Sequence, residues 1–112
     1  MNSIARTILE QLGGREFVTM TGAKGMAPTN KGLAFLLPDD PDFVKDGINF
    51  VRISLNGMDL YDVEFCQYKD EKLTMIHYDE DLYNDQLQEI FTSRTGLDTR
   101  MPRIVFMQGG SR

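Results

Sequence analysis

Cys66 and His77 are the one cysteine and the one histidine of the chain, so a thiol–imidazole nucleophile has a single way to form. Strand alternation sets Cys66 near Thr74 and on the face opposite His77, which keeps the pair apart. Cys66 then reads as a small residue on a strand, and His77 as an ordinary strand-end residue. Asp39, Asp40 and Asp42 crowd one loop, without the glycine and closing glutamate of a calcium loop. Asp62 and Glu64 share a strand face, while Asp59 belongs to the adjoining turn. Carboxylates doing acid–base work need one member raised by burial, and these read as exposed. The stretch Gly22–Gly32 carries Lys24 and Lys31. It lacks the order of a phosphate loop, and Pro28 removes an amide such a cradle would use. The expectation is a non-enzymatic protein with no catalytic residue, no metal site and no cofactor.

Charge is the stronger signal. Twelve Lys and Arg stand against 17 Asp and Glu, a formal net charge of −5. Residues 39–89 hold 14 of the acids and four bases, while residues 1–38 and 90–112 are each net positive. The middle of the chain repels phosphate and attracts basic surfaces; the two ends do the reverse. One cysteine excludes an internal disulfide and a Cys-rich zinc module. No apolar run approaches the roughly 20 residues of a membrane span, and the N-terminus lacks a signal-peptide pattern. A cytoplasmic setting without membrane contact is the expectation.

The elements that position these groups read as follows. Ser3 is placed to cap a helix over 3–12, whose Ile4, Ala5, Ile8, Leu9 and Leu12 form one apolar stripe. Gly13 and Gly14 end it. Glu16–Thr21 reads as a short strand, Gly22–Gly32 as a loop, and Leu33–Leu37 as a buried strand stopped by Pro38 and Pro41. Residues 39–47 are a polar loop. A meander follows. Val51, Ile53 and Leu55 alternate in one strand and Tyr61, Val63 and Phe65 in the next. A three-residue Asn56–Met58 turn pairs Ile53 with Tyr61, Val51 with Val63, and Arg52 with Asp62. Lys69-Asp70-Glu71 turns the chain into a strand over Lys72–Tyr78, with Leu73 and Met75 facing in. Tyr68 and Phe50 read as outward aromatics. A helix over 82–95 has Asp79, Glu80, Asp81 and Asp85 at its N-terminal end, and Thr95-Gly96-Leu97 fits a Schellman stop. Residues 98–112 are an extended tail or an edge strand at Ile104–Met107. The fold class is α+β: one domain over 1–112, an N-terminal helix, a mainly antiparallel sheet of about five strands, and a C-terminal helix on one face.

Three runs carry a resemblance. They are Gln11-Leu12-Gly13-Gly14-Arg15-Glu16-Phe17-Val18-Thr19-Met20-Thr21-Gly22-Ala23, then Ile53-Ser54-Leu55-Asn56-Gly57-Met58-Asp59-Leu60-Tyr61-Asp62-Val63-Glu64-Phe65, then Leu87-Gln88-Glu89-Ile90-Phe91-Thr92-Ser93-Arg94-Thr95-Gly96-Leu97. Together they resemble a small family of uncharacterised single-domain proteins encoded by phages and mobile elements. The resemblance implies a genomic context, a bacterial host cytoplasm, and transfers no catalytic residue.

The functional expectation is a phage or mobile-element accessory protein that binds a macromolecular partner, a protein with a basic surface. An inhibitor of host defence or of a nucleic-acid enzyme fits, because such targets have cationic clefts. The acidic face expected to meet it comprises Asp59, Asp62, Glu64, Asp79, Glu80 and Asp81. The alternative is a nucleic-acid-binding module using the glycine- and lysine-rich loop and the basic C-terminal region. Its contacts would be Arg15, Lys24, Lys31, Arg94, Arg100 and Arg103. An exposed edge strand or the tail offers a route to a homodimer.

Overall fold

Asn2, not Ser3, opens the first helix. Its Oδ1 accepts the N–H of Ala5 at 2.8 Å, the capping bond that a short polar side chain supplies. The computed structural model describes residues 2–101; the expected edge strand at Ile104–Met107 lies outside them. Helix α1 (Ser3–Leu12) buries Ala5, Ile8 and Leu12 and ends at Gly13, whose φ is 129°.

The segment expected as a strand is helix α2 (Arg15–Thr21). A seven-residue run with Phe17, Val18 and Met20 satisfies either period. Tertiary contact decides it: the Phe17 ring meets Phe35 at 5.4 Å and Phe91 at 5.1 Å, both edge-on. One turn later Thr21 is buried, its hydroxyl donating to the Phe17 carbonyl at 2.7 Å.

Five strands follow: β1 (Lys24–Pro28), β2 (Gly32–Leu36), β3 (Phe50–Leu55), β4 (Tyr61–Lys69) and β5 (Lys72–Leu82). They form one antiparallel sheet in the order β1-β2-β3-β4-β5. Strand β1 occupies five residues of the expected loop 22–32. As an edge strand it tolerates Pro28, which pairs with Leu33, because a missing N–H there need not cost a ladder bond.

The β3–β4 register differs from expectation by two residues. Ile53 pairs with Val63, Val51 with Phe65 and Leu55 with Tyr61, so Arg52 faces Glu64 rather than Asp62. A shift of two preserves every face, and the apolar sets of both strands do share the core side. The connection runs Asn56–Leu60 because the Asn56 side chain organises it. Its Oδ1 accepts the N–H groups of Met58 and Leu60, and Asp59 takes a φ of 60°.

Strand β5 corrects a larger expectation. Asp70 and Glu71, with φ of 52° and 61°, make a two-residue turn that pairs Lys69 with Lys72 and Tyr68 with Leu73. A three-residue turn would have sent Leu73 and Met75 inward; both are instead about half exposed, on the face away from the core. The ladder then breaks between the Phe65–His77 and Cys66–Met75 pairs. This bulge leaves Ile76 packed against the core. The strand runs on to Leu82, so the expected helix over 82–95 begins later. A 3-10 turn at Asn84–Gln86, closed by the Tyr83 N–H donating to Gln86 Oε1, leads into α3 (Leu87–Thr95).

The end of α3 is not a Schellman motif. Gly96 is left-handed (φ 81°) and its N–H donates to the Thr92 carbonyl. Leu97 still packs against the core, but its N–H goes to Thr95 Oγ1. Helices and sheet enclose one core centred on Phe17, Phe35, Phe65 and Phe91. Gln88 ties the ends of α3 and α1 together by donating to the Leu12 carbonyl and to Thr99 Oγ1. The fold is α+β, with the helices on one face of the sheet.

Candidate functional site

The core side takes Val51, Ile53, Val63 and Phe65, so the alternate residues of each strand make the outer face. Its cross-strand rows follow from the register. One runs Leu36–Phe50–Cys66–Met75, with Tyr68–Leu73 beside it toward the β4–β5 turn. The next runs Ala34–Arg52–Glu64–Tyr78, and beyond it Ser54 faces Asp62. No helix among the described residues covers this face. It is apolar at the turn end and acidic at the other.

The acidic end centres on Tyr78. Its phenol is held above its ordinary range, first by desolvation and then by the negative charges of Asp62, Glu80, Glu64 and Asp81. Four of the six expected acids therefore act on one point. Glu64 is neutralised by Arg52, with Nε to Oε1 at 2.6 Å and Nη2 to Oε2 at 3.0 Å. That bidentate bond is the leading reason the guanidinium is raised further. Asp62 Oδ1 accepts from Asn56 Nδ2 and from the Asp81 N–H, and Asn56 Nδ2 also donates to Asp81 Oδ1. Asp59 sits in the same Asn56–Leu60 connection. Ser54, Asp62, Glu64, Met75 and Tyr78 line a shallow groove of about 350 Å³.

Asp79 does not belong to this group. It pairs with Val63 across the ladder and turns to the helix side, where Arg94 holds it with bonds of 3.0 and 2.8 Å. The same ion pair commits Arg94, so it leaves the expected basic set as well. Its guanidinium is raised chiefly by that hydrogen bond. The remaining bases are scattered. Lys24 opens β1 and Lys31 lies in the turn beyond its other end; Arg15 begins α2. Arg100 shares a groove with Asp85, Glu89 and Asp98, and Arg103 lies outside the described residues.

Cys66 and His77 are not brought together. Cys66 pairs with Phe50 and Met75 on the outer face, and burial, reinforced by Glu64, pushes its thiol up. His77 pairs with Phe65 on the core side, where its Nε2 lies 3.4 Å from Asp46 Oδ2. Among the described residues no group of three His, Cys, Asp or Glu side chains is placed to hold a metal ion. No helix among them is long and apolar enough to cross a membrane.

Tyr68 and Phe50 face outward as the alternation implied. Met75, Leu73 and Tyr78 were missed as surface residues. The only signal for them is the two-residue turn at Asp70-Glu71, which carries no glycine or asparagine to announce it. Compared with known proteins, the chain matches no family model, no curated protein and no solved structure.

Proposed function

We propose that this chain is a non-enzymatic binding protein whose acidic sheet end engages a protein partner with a basic surface. The observation that carries the reading is that Asp62 and Glu64 line one open groove with Tyr78, that Asp81 is tied to Asp62 through its N–H, and that among the described residues Arg52 is the one base paired there. The like charge that Arg52 leaves unpaired, on Asp62, Glu80 and Asp81, is costly to the isolated fold and favourable to an oppositely charged partner. Asp59 extends the patch; Asp79 is left out of it. The phage or mobile-element setting, with a target such as a host defence factor or a nucleic-acid enzyme, rests on the family resemblance of the three runs.

The test is affinity capture from nuclease-treated bacterial lysate, comparing the natural chain with an Asp62→Asn, Glu80→Lys, Asp81→Asn variant. Asparagine suits the left-handed backbone of Asp81 (φ 58°). Circular dichroism verifies that the variant folds. A stoichiometric partner that survives nuclease and is lost with the variant supports the reading. Capture that the variant leaves unchanged, or that nuclease abolishes, overturns it; the second result moves Arg15, Lys24 and Lys31 to the front.

A further inference from the structure

The other end of the same sheet face has no assigned use. Leu36, Phe50, Cys66 and Met75 form one unbroken row across four strands, and Tyr68 and Leu73 form a second beside it. Leu36, Tyr68, Leu73 and Met75 each keep between 39% and 52% of their surface exposed. At roughly 150–250 Å² per large side chain, these four leave on the order of 400 Å² of apolar area. Patches of that size on a monomer mark interaction sites.

We propose that this band is the interface of a homodimer in which two copies of the chain stack their sheets face to face. The inference is independent of the partner reading above. Doubled, the apolar area comes to about 800 Å², and with the polar rim it reaches the roughly 1,000 Å² expected of a specific interface. Charge chooses the symmetry. A dyad running along the strands lays the Glu64 row of one copy on the Glu64 row of the other. A dyad crossing the strands between the Tyr68–Leu73 and Cys66–Met75 rows lays each apolar row on the other. It also carries the Asp62–Asp81 ends of the two copies apart, and lays the Arg52–Glu64 row of each toward the Asp70–Glu71 turn of the other. Only the second is self-complementary, as a two-fold contact must be. Aligned sheets stack in this way at about 10 Å separation. Edge-to-edge pairing through β5 is disfavoured, because its ladder is irregular at two places and bulges blunt an edge.

In the crossed arrangement Leu73 of one copy lies over Met75 of the other. Sedimentation velocity on the full chain, from about 1 to 200 µM, should show a species of twice the 12.8 kDa chain mass. Leu73→Glu alone and Met75→Lys alone should each sediment as monomers with unchanged circular dichroism. Mixed in equal amounts they should dimerise again, since one Glu–Lys contact and one natural contact result. Thr74→Glu, on the opposite face of the same strand, should leave the dimer intact. A natural chain that stays monomeric throughout overturns the proposal and leaves the band to a foreign protein. So does a dimer indifferent to Met75→Lys, or singly monomeric variants that fail to rescue each other.

Discussion

The ring of Phe17 meets the ring of Phe91 edge-on at 5.1 Å, and each phenylalanine stands four residues before a buried threonine that closes its helix in the same way. Thr21 Oγ1 donates to the Phe17 carbonyl and accepts the N–H of Ala23; Thr95 Oγ1 donates to the Phe91 carbonyl and accepts the N–H of Leu97. Gly22 and Gly96 follow, both left-handed. The two helices that flank the sheet in sequence thus present their aromatic anchors to each other and end on one shared device.

That device makes the first prediction. Thr95→Val keeps the volume, removes both hydroxyl bonds, and leaves the Leu97 N–H without its partner. Thr21→Val does the same to Ala23. Each should cost about 1–3 kcal/mol, the penalty for stranding a buried polar group, read as a lower urea midpoint. Serine at either position should recover most of the loss, whereas a purely steric role would leave serine as poor as alanine.

Gly32 gives a sharper contrast. A Cβ built there would lie 1.8 Å from the Ile53 carbonyl oxygen and 2.9 Å from Ser54 Cα. Both are backbone atoms of β3 and neither has a flexible end to move aside. Gly32→Ala should therefore cost more than about 3 kcal/mol, in the range of overpacked cores. Gly57→Ala, where a Cβ meets nothing within 4 Å, should be close to neutral. Equal midpoints for the two variants would refute the close approach of β2 to β3.

How much of this was legible depends on what each signal specifies. Alternation over Val51, Ile53, Val63 and Phe65 specifies parity, so the shared core face was readable while the register, two residues away, was not. Loop length there depends on the Asn56 side chain gathering the Met58 and Leu60 amides, which no pattern of apolar residues records. The face of Leu73 and Met75 hangs on a turn whose two left-handed residues are Asp70 and Glu71, neither a usual occupant. Phe17 could not announce a helix, since its partners Phe35 and Phe91 are 18 and 74 positions away. The acidic patch was readable as composition. That Asp79 leaves it for Arg94 follows from the bulge near Ile76.

Alkaline pH should weaken the fold. Desolvation raises the Tyr61 phenol above its ordinary value near 10.0, against a smaller lowering by Gln11. Burial likewise raises Cys66 above 9.0. In both, the protonated form is the one the fold favours. Their stabilisation is fully present below the unfolded values and is lost as pH rises through the folded ones. Urea midpoints should hold from pH 7 to about 8.5 and fall above roughly 9–10. A Tyr61→Phe, Cys66→Ala variant should fall less steeply. At pH 8 the native Cys66 thiol should resist iodoacetamide and react once urea unfolds the chain.

Asn56 separates hydrogen bonding from charge at the acidic end. It accepts from the Met58 and Leu60 amides and donates to both Asp62 and Asp81. Asn56→Asp keeps the two acceptor bonds but replaces the donor with a third carboxylate. Its cost, about 1–2 kcal/mol, should be electrostatic and should shrink as salt is raised toward 0.5 M, where screening acts within a few ångströms. Asn56→Ala loses the acceptor and the donor bonds alike, about 1 kcal/mol or more, but adds no charge and should respond less to salt. If both variants lose the same stability and neither responds to salt, Asn56 acts only as a turn former. The carboxylates of Asp62 and Asp81 would then repel each other too weakly to draw a basic partner to this end of the sheet.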